Sequence, residues 1–164
     1  MLKLVTAPDK VLKTPAEEWQ FQIDTNAEEI EAEMISIMKS EKGRGLAANQ
    51  VGLLKRVFAI QLEGKEPIAM FNPKILNASE FLQKGEEGCL SFPSLWLEVA
   101  RPSSIDAEYF DKHGNQCIIT LTGIDARCFC HELDHLDGVC FTDKISPLKL
   151  ALAIKKQRKQ QRKK

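Results

Sequence analysis

The chain has 164 residues, enough for one domain with one sizeable core. Its residues are 43% hydrophobic and 28% charged, the make-up of a globular protein, which excludes a disordered or fibrous chain. Lysine plus arginine number 23 and aspartate plus glutamate also 23, so the formal net charge is zero, against a protein built to coat nucleic acid or an anionic membrane.

The opening segment, Met1–Trp19, lacks the apolar core of a secretory signal and carries too many acids for a transit peptide. No later stretch reaches the roughly 18–20 apolar residues that span a bilayer, which excludes an integral membrane protein. Thr25 followed by Glu28 reads as a capping box. Ile30, Met34, Ile37 and Met38 then recur at helical spacing, and Glu29, Glu31 and Glu33 sit near the positive end of the helix. This predicts a core-facing helix that stops before Gly43. The next segment, GRGLAANQVG (Gly43–Gly52), is too rich in glycine and small residues for an ordinary strand.

Strands are predicted at Val57–Leu62, Ile68–Asn72, Ile75–Leu82, Trp96–Arg101, Ser104–Phe110 and Cys117–Leu121. Asp111–Asn115 reads as a hairpin turn in which Gly114 takes positive φ. A second helix is predicted from about Asp125 to Leu136, ending at Gly138. Ser146 as N-cap and Pro147 at the first helical position open a last helix. Antiparallel strands between helical regions make the fold class α+β.

The charge balance hides a split. Residues 155–164 hold seven basic residues and no acid, so residues 1–154 carry 16 basic against 23 acidic. The chain therefore divides into an acidic body, 1–154, and a basic tail, 155–164. With no apolar residue after Ile154, the tail is expected to be a solvated helix end or a disordered arm. The cysteines are Cys89, Cys117, Cys128, Cys130 and Cys140. An odd count without an export signal points to free thiols in a reducing compartment, with the cytoplasm as the expected location.

The second helix carries His131-Glu132-Leu133-Asp134-His135. Histidines at i and i+4 share a helix face and can hold one metal ion, with the glutamate beside a metal-bound water. A catalytic site of this kind wants a third protein ligand. A metzincin would place a histidine at Phe141, and a thermolysin-like site needs a later glutamate, but neither Glu nor His follows His135. The third ligand is therefore sought upstream, among the cysteines. Cys128 shares the stripe, but a metal held by both histidines sits about 3 Å beyond His131 along the axis, whereas Cys128 starts about 4.5 Å before it. Cys128 is expected in the core. Cys89 sits beside Gly88, where the backbone can be approached closely, and its thiolate would suit iron(II) as well as zinc.

Three segments together resemble the signature motifs of peptide deformylases: Gly43–Gln50 (GRGLAANQ), Glu87–Ser91 (EGCLS) and His131–Gly138 (HELDHLDG). Their order and spacing fit, Pro8-Asp9 and Ser146–Lys149 resemble the family's edges, and the resemblance covers essentially the whole chain. It implies antiparallel β-sheets packed around a central HExxH helix, with an N-terminal and a C-terminal helix, and a catalytic domain over 1–154. It further implies a hydrolase that removes the formyl group from the N-terminal N-formylmethionine of nascent polypeptides. Cys89, His131 and His135 would hold one divalent metal, Fe(II) physiologically, replaceable by Zn(II), Ni(II) or Co(II). Glu132 would serve as general base and acid for an attacking metal-bound water. The Gln50 amide and the Leu90 backbone N–H would stabilise the oxyanion.

Arg44, Gly45, Gly88, Ile124 and Cys128 are the candidate substrate-binding residues. The substrate backbone is expected to pair near Gly45, and the methionine side chain to enter a pocket lined by Ile124 and Cys128. The chain departs from the family pattern at three positions. Arg44 and Arg127 replace apolar residues, and Cys130 replaces a glutamine, which predicts a missing polar partner beside the first histidine. The family's expected ribosome contact would fall to the basic tail, with no membrane or DNA partner. Two alternatives stand beside this reading: an HExxH zinc endopeptidase, and a non-catalytic, metal-stabilised RNA-binding module.

Overall fold

The structure is a computed structural model and describes residues 2–161. In chain order its strands are β1 (Gly45–Ala47), β2 (Val57–Ile60), β3 (Ile68–Ala78), β4 (Leu82–Cys89), β5 (Phe92–Pro102), β6 (Ser104–Phe110) and β7 (Gln116–Thr122). The helices are α1 (Ala27–Ser40), α2 (Gly123–Leu136) and α3 (Pro147–Gln161), with a 3-10 turn at Ala48–Val51. One antiparallel sheet runs β1-β2-β3-β6-β7, and β4 with β5 forms a separate two-stranded sheet. The fold is α+β. Among the described residues no helix is long and apolar enough to cross a membrane.

The position of α2 follows from the two-residue period of β2. Phe58 and Ile60 point to one side of the large sheet, into a core with Met70, Ile105, Leu121, Phe129 and Leu136. Val57 and Ala59 point to the other, into a core with Ile30, Met34 and Met38 of α1 and Phe71 of β3. Helix α2 thus lies on one face and α1 on the other. Beneath α2, Phe58 and Phe129 meet edge to face at 5.1 Å and 88°. A third cluster, Leu95, Leu97, Val99 and Phe141, receives Leu150, Ala153 and Ile154 of α3.

Several sequence expectations change. Helix α1 begins at Ala27 with Asn26 at its cap and no side-chain capping bond, so the Thr25–Glu28 capping box does not form. The glycine-rich segment contributes strand β1, because pairing of Gly45 with Ile60, Leu46 with Ala59 and Ala47 with Phe58 outweighs its composition. The runs at 68–72 and 75–82 are largely one strand, β3, interrupted by a register shift after Phe71. There Asn72 takes positive φ (47°), and its amide pairs with both backbone groups of Trp19. Strand β4 has too little apolar content to be read from sequence and is held by a long ladder to β5.

The boundary drawn at 154/155 falls inside a continuous helix, since α3 runs to Gln161; residues 162–164 of the tail lie outside the described residues. Its N-terminus is capped as expected, with Ser146 Oγ accepting from Lys149 N at 3.4 Å. The tail also touches the body, for Gln157 Nε2 donates to the Pro93 carbonyl at 2.5 Å.

Because Phe129 joins α2 to the sheet from a fully buried position, Phe129→Ala should lower the free energy of unfolding by about 3–5 kcal/mol. Urea denaturation followed by far-UV circular dichroism checks this.

Candidate metal centre and active site

Helix α2 is buried along most of its length, which is unusual for a helix carrying this much polarity: Arg127, His131, Glu132 and His135 are all buried. His131 and His135, one turn apart, bring their Nε2 atoms to 3.2 Å of each other. Cys89, half-buried at the end of β4, places its Sγ 3.2 Å from His135 Nε2. A register shift between Gly88 and Cys89 turns the chain there, so the thiol faces the helix. The ligand atoms of Cys89, His131 and His135 all lie within 4.8 Å of one another.

This donor set fits a divalent metal ion. Glu87 faces His131 Nδ1 at 2.9 Å, which favours a proton on that nitrogen and leaves Nε2 as the atom that a metal ion would take. Two imidazoles and a thiol that converge in this way suit zinc or iron(II). His135 Nδ1 and Glu132 Oε2 are also buried, with no hydrogen-bond partner among the described residues.

Glu132 stands beside the three ligands against Gly45, where a Cβ would come within 2.2 Å of its Oε1. Burial pushes its carboxyl up to about 7. Gln50, in the 3-10 turn after β1, is held from both ends: Oε1 accepts from Ala47 N at 2.8 Å, and Nε2 donates to Ser91 Oγ at 3.0 Å. The same nitrogen is 3.4 Å from Cys89 Sγ. The segment before α1 ties these loops together, with Val5 N on Gln50 O at 2.7 Å and Ala7 N on Ser91 O at 2.8 Å.

A cavity of about 620 Å³ opens over this cluster. Its walls include Gln50, Cys89, Leu90, His131 and Glu132, together with all five candidate substrate-binding residues, Arg44, Gly45, Gly88, Ile124 and Cys128. His135 lies behind the wall, fully buried. Cys128 is buried and apart from the convergent donors, and burial raises its thiol well above the ordinary range. Arg44 is tethered at the rim by Asp125 at 2.8 Å.

Sequence reasoning missed the groups around His131. Burial alone would raise the Glu87 carboxyl, but hydrogen bonds from His131 and Arg101 hold it down at about 2. Arg101 forks onto Glu87 and reaches Asp134 at 2.5 Å. Arg127 lines the cavity, yet its guanidinium turns inward to Glu87 at 2.8 Å. Cys130 packs in the apolar core, and the polar partner of His131 is Glu87. A signal existed only on the helix: Arg127 and Asp134 stand four before and three after His131, on its face.

An HExxH helix beside a cysteine, opening onto this cavity, has the donor set of a class of metal-dependent hydrolases. The comparisons narrow it. The polypeptide deformylase family model matches residues 1–151. A peptide deformylase of Prochlorococcus marinus (strain NATL2A) is 42% identical over 149 residues, covering 88% of this chain and 73% of its own. One from Rhizobium meliloti is 39% identical over 160 residues, covering 93% and 90%. The crystal structure of a peptide deformylase from Synechococcus elongatus in complex with actinonin superposes with a TM-score of 0.87 at 38% identity, covering 95% of this chain and 85% of that one. The chain belongs to the polypeptide deformylase family, enzymes that remove the formyl group from N-formylmethionyl peptides.

The fit of Glu132 over Gly45 is tight enough to test. Gly45→Ala should displace the carboxylate and lower kcat/KM for a formyl-methionyl peptide on the order of 10²-fold, with bound metal retained. Formate release and metal analysis on one preparation check both halves.

Proposed function

We propose that the chain hydrolyses the formyl group from the N-terminal formylmethionine of nascent polypeptides, with Cys89, His131 and His135 holding one divalent ion, Fe(II) in the cell. One observation carries this reading: two buried imidazoles and a half-buried thiol converge within 4.8 Å beside a buried carboxylate that keeps one unpartnered oxygen. When bound, the ion supplies Lewis-acid polarisation of the formyl oxygen and makes water acidic enough to be deprotonated near neutral pH.

The remaining work falls to side chains and backbone. Glu132 takes a proton from the attacking water and hands it to the departing amine, as suits a carboxyl raised to about 7 by burial. The Gln50 amide and the Leu90 N–H donate to the oxygen on which negative charge develops. Gln50 is suited to this because Ala47 N fixes its carbonyl end, while its amide nitrogen, bonded to Ser91 Oγ, lies 3.4 Å from Cys89 Sγ. The substrate backbone runs beside Gly45 and Gly88, the methionine side chain enters between Ile124 and Cys128, and Arg44 forms the rim.

The reading extends to location. The enzyme works in the cytoplasm, where formylated chains emerge, and the basic end of α3 approaches ribosomal RNA. Supporting this, Leu150, Ala153 and Ile154 pack inward while Lys155, Lys156, Arg158 and Lys159 are exposed. Truncation after Ile154 should weaken co-sedimentation with ribosomes at low salt; unchanged co-sedimentation removes the contact from the proposal.

Anaerobic purification with metal analysis and a deformylation assay tests the chemistry. Cys89→Ala should lose stoichiometric metal, whereas Cys128→Ala should keep it. Glu132→Gln should keep metal and lose about 10²–10⁴-fold in kcat. Cleavage of internal peptide bonds without formate release would favour an endopeptidase, and full function after Glu132→Gln a non-catalytic module.

A further inference from the structure

The Glu87 carboxylate has no acceptor position to spare. Oε1 accepts from Arg101 Nε at 2.9 Å and Arg127 Nη1 at 2.8 Å; Oε2 accepts from Arg101 Nη2 at 3.0 Å and lies 2.9 Å from His131 Nδ1. An ionised carboxylate offers about four lone-pair sites, so these contacts fill it and set its plane. The arginines come from different elements: Arg101 from β5, and Arg127 from α2, one turn before His131. The helix that carries His131 therefore also carries a group that aims the carboxylate at it. Both Glu87 and Arg127 are buried, so solvent does not screen the contact.

Helical spacing makes this arrangement self-consistent. Residues four apart share a face, so Arg127 and His131 both meet the β4–β5 sheet, where Glu87 projects between them. Gly85, two residues earlier on β4, leaves the space in which the guanidinium lies, since a Cβ there would sit 3.0 Å from it. Arg127 also donates to the carbonyls of Val99 at 2.8 Å and Gln83 at 2.5 Å, which fastens α2 to both strands of that sheet.

We propose that Arg127 is a positioning residue of the metal centre: its guanidinium sets the Glu87 carboxylate on His131 Nδ1, which holds the imidazole in the tautomer and orientation that turn Nε2 toward Cys89 and His135. The proposal rests on the reading of Cys89, His131 and His135 as metal ligands. It assigns to Arg127, a cavity-wall residue by location, a function directed at His131 through Glu87. The bonds to Val99 and Gln83 would by themselves make Arg127 a structural staple, so the test must separate the two roles.

Wild type, Arg127→Met, Glu87→Gln and the double variant are loaded anaerobically with Co(II), and its loss to excess chelator is followed through the cobalt–thiolate absorption. Melting temperatures of the metal-free proteins are measured alongside. Arg127→Met and Glu87→Gln should each speed Co(II) loss about tenfold or more. The double variant should be no faster than the faster single variant within about twofold, because one residue acts through the other. Arg127→Lys, which keeps the charge without the fork, should fall between, and it replaces Arg127→Met if that variant does not fold.

Wild-type Co(II) loss in Arg127→Met, with a lowered melting temperature of the metal-free protein, would reduce Arg127 to a staple and overturn the proposal. Multiplying effects in the double variant would overturn it too. Failure of the wild type to take up stoichiometric Co(II) is a separate result: it overturns the ligand assignment itself, and this proposal with it.

Discussion

Two imidazole nitrogens and a thiol from distant parts of the chain converge on one largely buried point. His131 Nε2 and His135 Nε2 face each other at 3.2 Å, with Cys89 Sγ as close to the second, a convergence of donor atoms that a bound cation would hold together. Much of the surrounding architecture can be understood as holding that arrangement. Helix α2 cannot be a surface helix, because both imidazoles must be shielded. It therefore needs an apolar sheet beneath it and a second sheet over its polar face.

The large sheet meets the first need through β2, whose alternating residues feed a core on each side. One side seats α2 and the other α1, so the helix that carries both histidines is fixed in a sandwich rather than laid on a surface. The β4–β5 hairpin meets the second. It supplies Cys89 from its tip, Glu87 from the strand before it and Arg101 from its other strand. The chain before α1 then ties the Gln50 turn and the hairpin tip through Val5 and Ala7. Three parts distant in sequence thus meet over one cavity.

Burial divides the labour among the acids on these elements. Glu87 and Glu132 are both buried carboxyls near the same histidine. Glu87 is surrounded by two arginines and His131, which hold it ionised against the cost of burial. Glu132 keeps one oxygen free of partners, and burial raises its carboxyl toward neutrality. The same side chain in two surroundings is thereby suited to two tasks, one fixing a ligand and the other moving a proton.

The sequence by itself determined what is local. The i, i+4 histidines with their glutamate, the C-terminal end of α2, the start of α3 and the hairpin around Gly114 follow from short-range spacing, capping and turn chemistry. The three motifs also named Cys89 as a candidate third ligand. Tertiary structure decided what depends on pairing across the chain. Strand β1 exists because β2 offers it a partner, and β4 because β5 does, although neither has the composition of an isolated strand. The partner of His131 was beyond local reasoning for the same reason. A buried carboxylate between two arginines is set by which elements meet, and Glu87 is 44 residues from the histidine it touches.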